Sequence, residues 1–319
     1  MEKRYHENDY LYAGARIRAA ERIFPGRERL LSFAESKNEE ELRAALVSGG
    51  IPAAKDLPES LVLFAMSLVR ESLPDDLTVF VGYFYDCHNL KSLFKCRERG
   101  IDPEALLSPL GRVPVRELCK DFEKSDFSRL SPHMAAAAEE VRVAYLATAD
   151  PREFDFRLDR ACFEDLFEAA SGFPFAEEYL RRRVDLTNLR MRVRIFRMAM
   201  GAAGEPLFER AFLEGGTLPF SFFIGEREDE ASLSDALAST VYGDVFAPGM
   251  SMSALEKRCD NALIEYLRQV RYIPFGREVP FAFLMGAEGT AANLRILFAG
   301  ISAGQKSETI RERLRESYV

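Results

Sequence analysis

Three short segments carry one arrangement of polar side chains: Asp86-Cys87-His88-Asn89-Leu90-Lys91, Asp185-Leu186-Thr187-Asn188-Leu189-Arg190, and Asn293-Leu294-Arg295. Residues three apart share a helix face, so Asp86 with Asn89, and Asp185 with Asn188, can meet in a local hydrogen bond. A carboxylate, an amide and a cation at this spacing suit hydrogen bonding and ion pairing rather than bond-making chemistry. On a structural reading each Asn satisfies a neighbouring backbone group, and each Asp serves near a helix start, where negative charge is favoured. On a functional reading Lys91, Arg190 and Arg295 meet a partner, because one residue type recurs at one position.

Catalytic sets are missing from the sequence. There is no G-x-x-x-x-G-K-[ST] phosphate loop, and Gly300 to Lys306 echoes one with the wrong spacing. No G-x-S-x-G nucleophile elbow occurs. His6, His88 and His133 are scattered, and adjacent Cys87 and His88 point about 100° apart on a helix, so neither metal nor cofactor binding is expected. Asp155 and Asp159 lie four apart and share a helix face like an acid–base pair, but Arg157 and Arg160 are placed to neutralise them.

The elements that must position these residues are helical. The 319 residues hold 51 acidic and 43 basic side chains, a net charge of −8, which argues against nucleic acid as a partner. Hydrophobic residues make up 47%, enough for a substantial core. Five cysteines without a C-x-x-C pair fit neither a disulfide framework nor a zinc site and suggest a reducing compartment. The polar N-terminus lacks a secretory signal, and the apolar runs are too short to cross a bilayer, so a soluble chain is expected.

Tyr10, Ala13, Ile17, Ala20 and Phe24 follow three-four spacing and predict a helix ending before Pro25-Gly26, with Gly14 at a close helix contact. Further helices are predicted over Glu39–Val47, capped by Asn38 and ended by Gly49-Gly50, and over Pro58–Arg70, Met134–Ala147, Asp159–Ala170, Ser253–Gln269 and Ser307–Ser317. Arg190 to Met200 alternates like a strand at first. Leu186, Leu189, Val193, Phe196 and Met200 keep helical spacing for longer, so helix is favoured.

The Asn-Leu-cation segments recur at a pitch of about a hundred residues, a period long enough for a multi-helix unit. Leu110-Gly111-Arg112-Val113-Pro114 resembles Gly215-Gly216-Thr217-Leu218-Pro219, a glycine-proline joint after each of the first two copies. Charged helices near Glu59, Asp159 and Glu256 precede the three Asn residues. These matches cut the chain into helical repeats 1–110, 111–215 and 216–319.

The Asp-x-x-Asn-Leu-Lys/Arg repeats, the Tyr10-x-x-Ala13-x-x-Arg16-Ile17-Arg18 helix, the Gly216-Thr217-Leu218-Pro219 joint and the closing Ile310 to Val319 segment together resemble the C subunit of the V/A-type proton or sodium ATPases, whose eukaryotic V-type counterpart is the d subunit. The resemblance covers essentially the whole chain. It departs at Thr290, where an acid is expected three positions before Asn293, with Glu288 two residues earlier.

The resemblance implies an all-α, funnel-shaped protein whose three units surround a pseudo-threefold axis. It implies a non-catalytic part of a rotary motor, peripheral on the cytoplasmic face of the membrane. There it would receive the D and F subunits of the central stalk, sit on the proteolipid rotor ring, and couple indirectly to the A/B catalytic head. Lys91, Arg190 and Arg295 would then lie around the axis, against stalk or ring.

The run Arg181, Arg182, Arg183, Arg190, Arg192, Arg194 and Arg197 is expected either to hold acidic loops or lipid headgroups, or to be a solvated helix side partly neutralised by Glu177, Glu178 and Asp185. Two alternatives to the motor reading are a helical-repeat scaffold for other soluble partners and an all-α enzyme with a deep cleft and perturbed carboxylates.

Overall fold

The computed structural model describes residues 10–73, 75–198, 204–225, 227 and 229–319, and among these the fold is all-α, without strands. The early helices are α1 (Leu11–Ala20), α2 (Arg27–Phe33), α3 (Glu39–Ser48), α4 (Leu57–Ser72) and α5 (Val79–Arg99). There follow α6 (Val115–Lys124), α7 (Pro132–Thr148), α8 (Arg152–Ala170), α9 (Pro174–Arg197) and α10 (Gly204–Ala211). The last are α11 (Phe220–Phe223), α12 (Glu230–Leu237), α13 (Met252–Arg268), α14 (Glu278–Ser302) and α15 (Ser307–Arg313). Among the described residues no helix is long and apolar enough to cross a membrane.

Local chemistry accounts for many boundaries. Asn38 Oδ1 accepts the Glu41 N–H to start α3, and Gly49 ends it. Asp56 caps α4 through the Glu59 N–H, with Pro58 in the first turn. The stretch from Arg190 continues α9 as helix through Arg197, burying Leu186, Leu189 and Val193; Met200 lies outside the described residues. α8 begins at Arg152, seven residues before the predicted start, because Phe154, Phe156 and Leu158 already bury apolar surface there. α15 ends at Arg313 rather than Ser317, since the backbone beyond it bonds to side chains of other helices.

The chain forms two compact units: Met1–Thr78 with Glu226–Val319, and Val79–Gly225. Unit 1 is built on α4 against α14, with α1 and α13 packed beside them. α14 is buried on nearly every side, as its run from Val279 to Ala287 dictates. A Cβ on Gly289 would come within 2.7 Å of Ile264 on α13, so glycine allows that close approach. Gly14 corrects an expectation: a Cβ there would stand 3.7 Å from the Pro274 carbonyl, an ordinary distance from a loop and not a tight helix crossing.

Unit 2 packs α5 and α7 on α8, and α8 and α10 on α9. Phe94 of α5 stacks on Phe154 of α8 with ring centroids 5.3 Å apart, and meets Phe122 of α6 edge-on at 4.9 Å. Asp165 of α8 holds the start of α7 by accepting from Ser131 Oγ and from the His133 and Met134 N–H groups.

Candidate functional site

The three Asn residues occupy the long helices α5, α9 and α14, and all are buried. Asn89 Oδ1 accepts the Ser108 N–H at 2.8 Å while Nδ2 donates to the Ser108 carbonyl at 2.8 Å. Asn188 treats Leu213 in the same way, at 2.9 and 2.8 Å. Asn293 does so with Arg315, at 2.8 and 3.4 Å. The gripped residues lie 19, 25 and 22 positions downstream. An amide suits this task because it presents one acceptor and two donors on a short planar arm. Each clamp satisfies both polar groups of one residue in a segment without regular structure, where neither helix nor sheet supplies partners.

The carboxylates act on the same segments. Asp86 Oδ1 accepts the Val113 N–H at 3.1 Å. Asp185 accepts from Thr217 N–H at 3.1 Å and Leu218 N–H at 2.9 Å, and from the Thr217 hydroxyl. The glycine of each joint is explained by these contacts: a Cβ on Gly111 or Gly216 would collide with the Asp86 or Asp185 carboxylate. Asp and Asn of one helix thus act together on one linker. Asp86 and Asp185 lie within their helices, not at the starts, and hold the chain just before α6 and α11 begin. Glycine and proline at the joints were legible in the sequence; their contact with the carboxylates was not.

Asp86 is buried, and loss of hydration pushes its carboxyl up to about 7 against the opposing hydrogen bond from Val113 and the charge of Arg112. It faces linker backbone, not substrate space. In the third Asn-Leu-cation segment Thr290 turns its hydroxyl to the Gly286 carbonyl of its own helix at 2.8 Å, so this position supplies no carboxylate to a linker.

The cations diverge. Lys91 is half-buried and donates to Asp159 at 2.6 Å, with Asp155 at 4.0 Å; Lys95 takes Asp155 at 2.6 Å. Burial works against the Lys91 charge, but the two aspartates and nearby Cys87 outweigh it and raise its pKa. Asp155 and Asp159 are therefore neutralised by α5 lysines. Arg157 instead pairs with Glu153 and Glu140, and Arg160 reaches the Arg210 carbonyl. Arg190 is half-buried with Nη2 3.3 Å from Thr187 Oγ1, and Arg295 is exposed.

The arginine run is not one solvated side. Arg181, Arg194 and Arg197 are exposed, Arg182 pairs with Glu178 at 2.7 Å, and Arg183 lies 3.7 Å from the centre of the Phe84 ring. Arg192 is buried against Phe196 and Phe208, and that burial lowers its pKa. Of the acids expected to neutralise the run, Glu178 does so at Arg182, while Glu177 accepts the Gly172 N–H and Asp185 holds the linker.

Cys87 is buried beside exposed His88, whose Nε2 lies 3.0 Å from the Leu106 carbonyl. All five cysteines are free thiols. His133 lies between Glu164 and Glu168 at 3.5 and 3.6 Å. His133, Asp165 and Glu168 bring possible ligand atoms within 4.8 Å of one another, but Asp165 is already committed to the start of α7. A cleft of about 410 Å³ beside them is lined by Phe163, Phe167 and Leu213, with Arg160 and Glu214.

Residues 64–313 match the family described as ATP synthase (C/AC39) subunit. The chain is similar to the A-type ATP synthase C subunit of Methanosarcina mazei, with 23% identity over 98% of this chain and 94% of that protein. It is similar also to the A-type ATP synthase C subunit of Methanosarcina barkeri, with 22% identity over the same shares.

Proposed function

Because the chain belongs to the ATP synthase C/AC39 subunit family, we propose that it serves as a non-catalytic central-stalk component of a rotary A/V-type complex. In this reading it is a socket between the D/F shaft and the membrane rotor ring, peripheral on the cytoplasmic face, coupling ATP turnover on the A/B head to proton or sodium movement. The observation that carries the reading is the family match over residues 64–313, joined by similarity to two archaeal C subunits along nearly their whole length.

Three copies, 1–110, 111–215 and 216–319, would surround a pseudo-threefold axis. The common Asn clamp in α5, α9 and α14 supports that division, since one helix position performs one backbone task in each copy. A torque-bearing part must resist deformation, and doubly bonded linkers stiffen joints that loops would otherwise leave soft. Of the repeated cations, Lys91 is engaged by two aspartates, and exposed Arg295 offers a partner the most surface.

The test is recovery of an N-terminally tagged chain from gently solubilised native membranes, followed by mass spectrometry. Co-recovery of the ring proteolipid with stalk and head subunits is expected. Recovery from the soluble fraction alone, with none of them, overturns the socket reading. Replacing Arg190 and Arg295 by Ala should reduce that co-recovery more than replacing exposed Arg129 and Arg313; equal recovery assigns the repeated cations to the fold.

A further inference from the structure

The third Asn clamp holds a segment unlike the other two. In copies one and two the linker is gripped twice, by Asn and by Asp, with a glycine fitted under the carboxylate. In copy three the Asp position is Thr290, whose hydroxyl is turned to its own helix and gives no second grip. Leu314–Val319, which has no regular structure, is fixed from elsewhere in unit 1.

Its backbone is held by side chains. Glu316 N–H donates to Asn261 Oδ1 at 2.8 Å, Arg268 Nε donates to the Ser317 carbonyl at 2.9 Å, and Arg271 reaches the Tyr318 carbonyl at 3.2 Å. Its side chains reach the opposite end of the sequence. Ser317 Oγ donates to the Pro25 carbonyl at 2.8 Å, Tyr318 OH donates to Glu21 at 2.9 Å, and Glu316 pairs with Arg27. The buried Tyr318 ring lies over Gly286, where a Cβ would stand 2.6 Å away, and meets Phe24 edge-on at 6.0 Å. The segment therefore joins residues 21–27 to α13 and α14, two pieces of unit 1 that come from distant parts of the chain.

From these contacts we infer that Leu314–Val319 is a strap that opens and closes as a unit while α4 and α14 stay folded. Three features carry this. Beyond the Leu314 N–H, which bonds back to the Ile310 and Arg311 carbonyls at the end of α15, the strap has no helical hydrogen-bond ladder, so releasing it breaks only the last turn of that short helix. In place of the carboxylate grip, the strap backbone is held by Asn261, Arg268 and Arg271, and its side chains by ion pairs, Glu316 with Arg27 and Arg268 and Arg315 with Asp260, whose partners are 15 to 45% exposed and open to salt screening. The buried anchors are few, the Tyr318 plug with Leu314 and Ser317. The inference rests on unit 1 alone and stands or falls apart from the rotary assignment.

Amide hydrogen exchange on the full chain, at low and at high salt, tests it. The Arg315 and Glu316 amides, held by Asn293 and Asn261, should exchange through a local opening that leaves α4 and α14 amides protected. That opening should become at least tenfold more frequent at high salt and in Glu316→Gln. Tyr318→Leu, which keeps an apolar plug but loses the Glu21 bond, should shift it the same way. Strap amides that exchange only in step with the α14 core, in the wild type and in Glu316→Gln at both salts, would overturn the proposal and make the segment an inseparable part of unit 1.

Discussion

Gly216 lies directly beneath the Asp185 carboxylate, so close that a Cβ would overlap Oδ1, while Oδ1 accepts the Leu218 N–H two residues on at 2.9 Å. The same relationship joins Gly111 to Asp86 and Val113. The carboxylate can reach these N–H groups because the residue two positions before each donor is glycine and leaves room for it.

Gly216→Ala must therefore push the linker off Asp185 or turn the carboxylate away from its donors. The substitution should destabilise the protein by about 2 kcal/mol, as overpacking of a closed site does. Urea unfolding measures it. Ala at Gly225, where a Cβ meets open space but φ is +74°, provides a comparison in which only backbone strain acts. Gly216→Ala no more harmful than Gly225→Ala would show that the linker yields freely.

Asn89→Ala and Asn188→Ala each leave a buried N–H and a buried carbonyl without their amide partner. A loss of about 2 to 4 kcal/mol is expected for each. Asn293→Ala should cost less, because its Nδ2 contact is 3.4 Å long and Arg315 is only half-buried. Chemical denaturation of the three variants checks the order; a larger loss at Asn293 would contradict it.

Asp86 titrates near 7 in the folded protein and near 3.8 when unfolded, so the folded state binds its proton more tightly. The stability this contributes is fully present below the unfolded value and is lost as pH rises through about 7. Wild type should therefore lose stability relative to Asp86→Asn between about pH 4 and pH 7 and run parallel to it above. Parallel curves throughout that window would mean that Asp86 is not perturbed by burial. Asp150, held down at about 2 by Arg152 and Arg210, acts in the opposite sense at lower pH and is common to both proteins.

Lys91 ties α5 to α8 through Asp159 and is more enclosed than Lys95. Lys91→Met should cost about 1 kcal/mol after allowance for the partly exposed aspartates, and Lys95→Met less. A double-mutant cycle of Lys91 with Asp159 measures the pair; coupling indistinguishable from zero would remove Lys91 from the fold's support and return it to the candidates for partner contact.

The sequence makes the helices legible where one face alone is apolar. α3 keeps its Asn38 cap and Gly49 stop, and α9 continues through its strand-like stretch because three-four spacing outlasts alternation. The start of α8 is harder to read because Phe154 and Phe156 sit among charges that blur the periodicity. Arginines close in sequence look placed to neutralise Asp155 and Asp159, whereas the lysines that do it come from another helix. The arginine run looks uniform, and packing splits it into exposed, ring-stacked and buried members.

By itself the sequence determined that the chain is helical, that an Asn-Leu-cation segment recurs three times, and that glycine and proline follow the first two. These properties follow from short-range periodicity and residue type, which are local in the chain. Only the tertiary structure decided what the Asn and Asp hold, because their partners lie 19 to 33 residues away on segments with no periodic signature. It alone decided that Tyr318 and Ser317 close onto Glu21 and Pro25, nearly three hundred residues distant, since such a contact is selected by the packing of α14 and leaves no mark on either sequence.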